Sequence, residues 1–256
     1  MKIWKISKTG TRPYNQDYAD FVTKNGMVCM AVADGLGAYD GSDIASETAV
    51  KSVLADFCRY AEKQTDMFSG TIMNVFFRDA HEAILKAKRA TKRSGCTTLS
   101  ILIADDHRFI VAHEGDTRIY FFRNNKLRFY SKDHSLARAA VDRGEISPSE
   151  IIGHKDQNKL TRVIGSDYYV QPDFKIYVGY EPSDSVLICT DGFWEHVRET
   201  EMSHVLKNCQ NPDDVLAEME KYLLTRYTDD CDNYTALLLR FVSEENTENQ
   251  ENVTEE

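Results

Sequence analysis

Two apolar runs in this chain stop in the same way. Val28-Cys29-Met30-Ala31-Val32-Ala33 ends on Asp34-Gly35, and Val186-Leu187-Ile188-Cys189-Thr190 ends on Asp191-Gly192. A continuous apolar run of this length reads as a central strand buried on both faces, so each needs a covering layer on either side. A single Asp-Gly is an ordinary turn dipeptide. Two of them closing buried strands bring carboxylates to one place.

The rest of the pattern says what the layers are. Short strands are expected at 2–7 and 18–23, ahead of the 27–33 run. Helices follow at 43–63, where Val50, Val53, Leu54, Phe57 and Ala61 recur at helical spacing, and at 71–91, where Ile72, Val75, Phe76, Ala80, Ala83, Ile84 and Ala87 do the same. Segments 97–104, 108–113, 117–123 and 126–130 have short polar connections and predict a meander of antiparallel hairpins. Residues 134–165 read as mostly helical and irregular. Strands return at 173–180 and 185–190, and a short helix begins near Phe193. A helix spans 212–226, with Asn211 as N-cap, Pro212 in the first position and Asp213 and Asp214 complementing the dipole. The last strand is Tyr234–Val242. Strands joined as hairpins exclude a parallel βαβ sheet. The expected class is α+β, a four-layer αββα sandwich of two antiparallel sheets flanked by helices.

No window reaches eighteen apolar residues and the N-terminus lacks an apolar signal core, so no membrane span and a cytoplasmic location are expected. Six cysteines, none in a CxxC pair, read as free buried thiols. The segment 243–256, SEENTENQENVTEE, carries six glutamates and no base, which is six of the ten net negative charges. It is expected to be a disordered acidic tail after a single domain at 1–242. The remaining net charge of −4 argues against a general nucleic-acid binder.

A third acid, Asp232, stands with Asn233 just before the last strand, whereas Asp34 and Asp191 follow theirs. In an antiparallel sheet one strand starts where its neighbour ends, so the three can converge at one end. Asp116, in the turn Glu114-Gly115-Asp116-Thr117, can face the same end. Clustered carboxylates take up protons or bind a cation. Oxygen ligands without paired histidine or cysteine point to Mg²⁺ or Mn²⁺, and Gly35 lets a carbonyl approach as a further ligand. Near the N-terminus Arg12, Asn15 and Asp17 form RxxNxD. Arg12 can hold a phosphate bidentately, and Asp17 can orient water or a ligand. There is no P-loop, and no Cys-x5-Arg loop surrounds Cys96. His113 and His134 read as structural.

In this order TRPYNQD (11–17), VADGLGA (32–38), SGCTTLSILI (94–103), HEGDTRIY (113–120), KDHS (132–135), NKLTRVIG (158–165), LICTDGFWE (187–195) and CDNYTALLL (231–239) resemble the metal-dependent protein phosphatases of the PPM class, type 2C, in their compact bacterial form. The likeness runs from about residue 3 to 242. It implies hydrolysis of phosphoserine and phosphothreonine in proteins by a metal-bridging water, without a covalent intermediate. It implies two Mn²⁺ or Mg²⁺ ions and a weaker third. Asp34 would bridge two ions, the Gly35 carbonyl would bind one, and Asp191 and Asp232 would hold the other. Asp116 would join Asp191 at the third, Asp17 would sit at the edge, Arg12 would bind phosphate, and 142–158 would be a flap beside the site. Its partners would be phosphoproteins and a cognate serine/threonine kinase, with the chain a monomer. Three positions depart from the pattern. Gln16 replaces a frequent Glu, Gly37-Ala38-Tyr39 replaces GGH, and Leu36 stands where eukaryotic members often carry a histidine proposed as general acid. Three rival readings are a catalytically silent relative that binds phosphoproteins or a partner kinase, a metal-dependent hydrolase of small phosphorylated molecules, and a regulatory module of a larger signalling system.

Overall fold

The computed structural model describes residues 1–169, 171–227 and 230–242, and the acidic tail of the sequence reading lies outside them. In chain order the elements are β1 (Lys2–Lys8), β2 (Asp17–Lys24), β3 (Met27–Asp34), α1 (Ser42–Glu62), α2 (Gly70–Thr91), β4 (Leu99–Ala104), β5 (Arg108–Glu114), β6 (Arg118–Arg123), β7 (Lys126–Tyr130), α3 (Leu136–Asp142), β8 (Asp173–Val178), β9 (Ser185–Cys189), α4 (Asp191–Trp194), α5 (Glu199–Asn208), α6 (Val215–Thr225) and β10 (Tyr234–Arg240). The strands form two antiparallel five-stranded sheets, ordered β1-β10-β9-β6-β7 and β2-β3-β4-β5-β8. This is the αββα sandwich expected from the pattern.

The two-residue period of a strand explains the layering. In β3, Cys29, Ala31 and Ala33 pack with Phe57, Phe76 and Phe77 of α1 and α2. The alternate residues Val28, Met30 and Val32 meet Ile119, Val186, Ile188, Leu237 and Leu239 of the other sheet. On the far side, Leu187, Cys189, Ala236 and Leu238 pack against Met202, Leu206, Leu216 and Met219 of α5 and α6. Three apolar layers thus separate four structural ones. Each fully buried Phe or Leu contributes about 1.5–3 kcal/mol by leaving water. The helix ends are built from local chemistry. Ser69 Oγ accepts from the Ile72 N–H at 3.3 Å to open α2, and Asn211 accepts from Asp213 N–H at 3.2 Å ahead of α6.

Four sequence expectations need correction. Segment 134–165 contains only α3 and a 3₁₀ turn at Pro148–Glu150, because Gly144, Pro148 and Gly153 interrupt any longer helix. The helix expected over 212–226 opens as a 3₁₀ turn, with its α-helical part limited to Val215–Thr225. The helix expected near Phe193 starts at Asp191, and α5 follows as a separate element. The region 97–130 is not one meander: β4–β5 and β6–β7 are hairpins, but β5 and β6 lie in different sheets. Glu114-Gly115-Asp116-Thr117 therefore crosses from one sheet to the other, with Gly115 at φ 104 making the sharp crossing. All six cysteines are free, four of them buried, as the sequence reading held.

Candidate active site

Strand parity continues past the apolar layer into the mouth of the sandwich. On β3 the face bearing Val28, Met30 and Val32 next presents Asp34. On β2 the face bearing Ala19 next presents Asp17. Register places Asp17 opposite Asp34. On β4, β6, β9 and β10 the same face leads to Thr98, Thr117, Thr190 and Thr235, all with no exposure. These hydroxyls form a floor under the acids. Thr98 Oγ1 accepts from the Asp34 N–H at 2.9 Å and lies 2.6 Å from Thr117 Oγ1. Thr190 Oγ1 donates to Asp17 Oδ2 at 2.9 Å and accepts from the Thr235 N–H at 3.0 Å. The sequence reading passed over these threonines. The signal that finds them is an in-phase Thr just beyond each inward apolar residue.

Above the floor lies an open cleft of about 470 Å³, whose lining includes Arg12, Asp34, Gly35, Asp116, Asp191 and Asp232. Asp17 is buried beside it under the hydroxyls. The structure therefore brings all seven candidates to one end of the sandwich. Asp34 ends a strand of one sheet, Asp191 follows a strand of the other, and both line the cleft. Burial first, and the charge of Asp191 second, pushes Asp17 up to about 8 and Asp34 and Asp116 well above the usual carboxylate range. Burial and then Asp232 push Asp191 up to about 6.

One cation faces this cluster from its rim. Arg12 forms a two-pronged pair with Asp232, Nε to Oδ1 and Nη2 to Oδ2, both at 3.2 Å. Both side chains are close to half exposed. The loop carrying Arg12 is fixed by Asn233, which accepts from Gln16 N–H at 2.8 Å and donates to the Thr9 and Tyr14 carbonyls at 2.7 and 3.1 Å. Asn15 is structural too: it caps Asp17 N–H at 3.0 Å and donates to Ser7 Oγ at 3.0 Å. Of the RxxNxD residues, then, Arg12 and Asp17 belong to the cleft and Asn15 holds the loop.

Gly35 has a steric reason to be glycine. A Cβ there would stand 2.5 Å from the Ser42 carbonyl oxygen and 2.7 Å from that of Gln16. Both neighbours are backbone, so Gly35→Ala must shift the chain next to Asp34. We expect a loss of about 1–3 kcal/mol, measured by denaturant unfolding, together with loss of turnover. Unchanged stability and activity would mean that the close approach at Gly35 is dispensable. Behind Asp116, Trp194 donates to its carbonyl at 3.0 Å. Trp194 in turn lies under Arg118, whose guanidinium is 3.5 Å from the ring centre and is held by buried Asp133 at 2.7 Å on both prongs.

At the edge the sequence reading gave Glu195 no role. Glu195, one turn after Asp191, is pushed up to about 8 by burial and then by the Asp191 charge, and Gln157 of the 142–158 segment hydrogen-bonds to it. Asn158, the last residue of that segment, lines the cleft, as does Leu160 just beyond it. The predicted flap thus borders the site. The histidines do not enter it. His113 and His134 stack with centres 4.6 Å apart, and Arg162 Nη1 reaches His134 Nε2 at 3.0 Å and Asp173 at 2.9 Å. Among the described residues this is the one trio of His, Cys, Asp or Glu donors whose ligand atoms all lie within 4.8 Å of one another. Arg162 already fills the cation's place there.

The fold and the acid-lined mouth define an αββα sandwich with an acidic cleft at one end of its two sheets. A family model described as protein phosphatase 2C matches residues 8–225. "Serine/threonine phosphatase stp" of Listeria monocytogenes is 31% identical over 237 residues, 89% of this chain and 90% of that protein. The chain belongs to the protein phosphatase 2C family and is a metal-dependent serine/threonine protein phosphatase. "Protein phosphatase PhpP" of Streptococcus pneumoniae is 29% identical over 215 residues, 80% of this chain and 84% of that one. The solved S. agalactiae serine/threonine phosphatase has a TM-score of 0.81 at 25% identity, over 94% of this chain and 99% of that one. The catalytic domain of PstP, solved with two manganese ions, has a TM-score of 0.76 at 21% identity, over 94% and 98% of the two chains.

Proposed function

We propose that this chain hydrolyses phosphoserine and phosphothreonine in proteins at the cleft between its sheets, using two Mn²⁺ or Mg²⁺ ions and a more weakly held third. The observation that carries the reading is the charge balance. Asp17, Asp34, Asp116, Asp191 and Asp232 converge on one cleft, while the facing cation, Arg12, is already engaged by Asp232. Protons now offset the remaining charge, and oxygen donors of this kind suit hard divalent ions.

In this reading Asp34, the Gly35 carbonyl, Asp191 and Asp232 would hold the two ions, and Asp116 with Asp191 would hold the third. When bound, such ions make water acidic near neutral pH and neutralise phosphoryl charge. Asp17, fixed by Thr190, orients water at the edge. Arg12 swings between Asp232 and the phosphoryl oxygens, its fork matching either partner. No histidine lines the cleft, and Leu36 occupies the rim, so proton delivery to the leaving alcohol falls to an acid of the cluster or to solvent. The substrates are products of phosphoryl transfer to serine or threonine, so a kinase of that specificity is the counterpart. The site is complete within one chain, in keeping with a monomer acting alone.

The test is phosphate release from a phosphothreonine peptide with Mn²⁺ and with EDTA, for the wild type and Asp191→Ala. Release that needs Mn²⁺ and falls by about a hundredfold or more in the variant is expected. No release from folded, Mn²⁺-loaded wild type would overturn the reading in favour of a phosphoprotein-binding role.

A further inference from the structure

The chain is acidic overall, yet from residue 83 to 104 it contains no Asp or Glu and five bases: Lys86, Lys88, Arg89, Lys92 and Arg93. They occupy the C-terminal end of α2 and the residues just after it. Lys88 is committed, donating to the Gly165 carbonyl and to Cys96 Sγ. Arg93 lies against Gly41 and pairs with Asp40 at 3.7 Å. The side chains of Lys86, Arg89 and Lys92 are exposed and have no hydrogen-bond or ion-pair partner among the described residues. A helix C-terminus favours a cation or two in its last turn. Five without an acid among them go beyond that.

The position of this ridge gives it meaning. The chain leaving α2 runs beside the loop leaving β3, hydrogen-bonded from one end to the other. Ser94 N–H donates to the Asp40 carbonyl at 3.1 Å, Leu36 N–H to Cys96 at 3.0 Å, and Thr98 N–H to Asp34 at 2.9 Å. Four residues of extended chain therefore separate the ridge from the acids, a span of about 13 Å. Lys92, Arg89 and Lys86 then recede along the helix at about 1.5 Å per residue. A substrate held in extended form advances about 3.3 Å per residue. Its phosphorylated residue in the cleft would put side chains about four to eight positions away over the ridge.

We propose that this ridge is a substrate-docking surface that selects phosphoprotein segments bearing Asp or Glu about four to eight residues from the phosphorylated residue. The inference rests on the phosphatase reading of the cleft. Outside 243–256 the chain still carries a net charge of −4, so its surface offers acidic chains no general attraction. An unpaired basic strip beside the cleft makes one approach attractive and so fixes the direction in which such a chain lies. Exposed charges act mainly on encounter and are screened by salt, so the preference belongs in KM.

Three phosphothreonine peptides with one central sequence decide it, carrying glutamate, glutamine or lysine on either flank about four to eight positions out. At low salt the glutamate peptide should exceed the glutamine peptide by about fivefold in kcat/KM, with the lysine peptide poorest. The gap should close at about 0.3 M salt and in the Lys86→Glu/Arg89→Glu/Lys92→Glu variant, whose turnover of p-nitrophenyl phosphate should match the wild type. Equal kcat/KM for the glutamate and glutamine peptides, or a preference that survives charge reversal, would overturn the proposal. If neither the peptides nor p-nitrophenyl phosphate is hydrolysed with Mn²⁺, the phosphatase reading fails by itself. The ridge is then judged by fluorescence anisotropy of the same labelled peptides. Tighter binding of the glutamate peptide to wild type than to the variant upholds it, and equal binding refutes it.

Discussion

Asp34→Asn is expected to abolish turnover while making the metal-free protein more stable. The loss should reach about a thousandfold or more in kcat, because an amide cannot bridge two cations as a carboxylate does. The gain arises from the same burial. Asp34 is crowded by Asp191, Asp17, Asp116 and Asp232, and its carboxyl is held protonated well above the ordinary range. A neutral amide removes that repulsion and keeps the shape. Calorimetric titration with Mn²⁺ should show weakened binding, and thermal unfolding in EDTA at pH 8 should show a higher midpoint than wild type. Wild-type turnover in the variant would remove Asp34 from the mechanism, and a lower midpoint in EDTA would contradict the electrostatic account.

The second large effect concerns pH. In the unfolded chain the carboxyls ionise near pH 4. In the fold Asp17 holds its proton to about 8, Asp191 to about 6, and Asp34 and Asp116 well above 4. Between those limits the native state binds more protons than the unfolded state, so stability is greatest below about pH 4–5 for these groups and falls as pH rises. Each such group costs up to about 1.4 kcal/mol per pH unit. Because the acids interact, the sum is smaller than independent sites would give. The metal-free midpoint should fall by on the order of 10 °C from pH 5.5 to pH 8. Mn²⁺ should reverse most of that fall at pH 8, since ion binding replaces the protons. A flat midpoint in EDTA across this range would mean that the carboxylates are better solvated than their burial implies.

The two effects have one origin. The apolar layers that position β2, β3, β9 and β10 also exclude water from the acids at their ends. The fold carries an unfavourable carboxylate cluster because the surrounding core is large. The threonine floor lowers the cost locally: Thr190 and Thr235 hydrogen-bond Asp17 and favour its charged form against burial. Such a site is unstable by construction until a cation enters.

Much of this was written in the local sequence. The runs ending in Asp34-Gly35 and Asp191-Gly192, and Asp232 before Tyr234, named the acids, because two buried strands that stop on a carboxylate and a third acid that precedes another strand have few bland explanations together. Helix phase located α1 and α2, and the continuous apolar run of β3 showed that both its faces are covered. Parity, however, assigns a face and not a partner. Only the tertiary structure decided that β5 and β6 part into different sheets, which carries Asp116 across the mouth. It also set Thr98, Thr117, Thr190 and Thr235 together, joined Gln157 to Glu195, and put Arg162 between His134 and Asp173. These contacts link residues 11 to 173 positions apart, and no local pattern encodes which distant strand will supply the hydroxyl. Sequence determined which groups would be delivered to the ends of strands. Packing of two sheets against each other determined which of those ends meet.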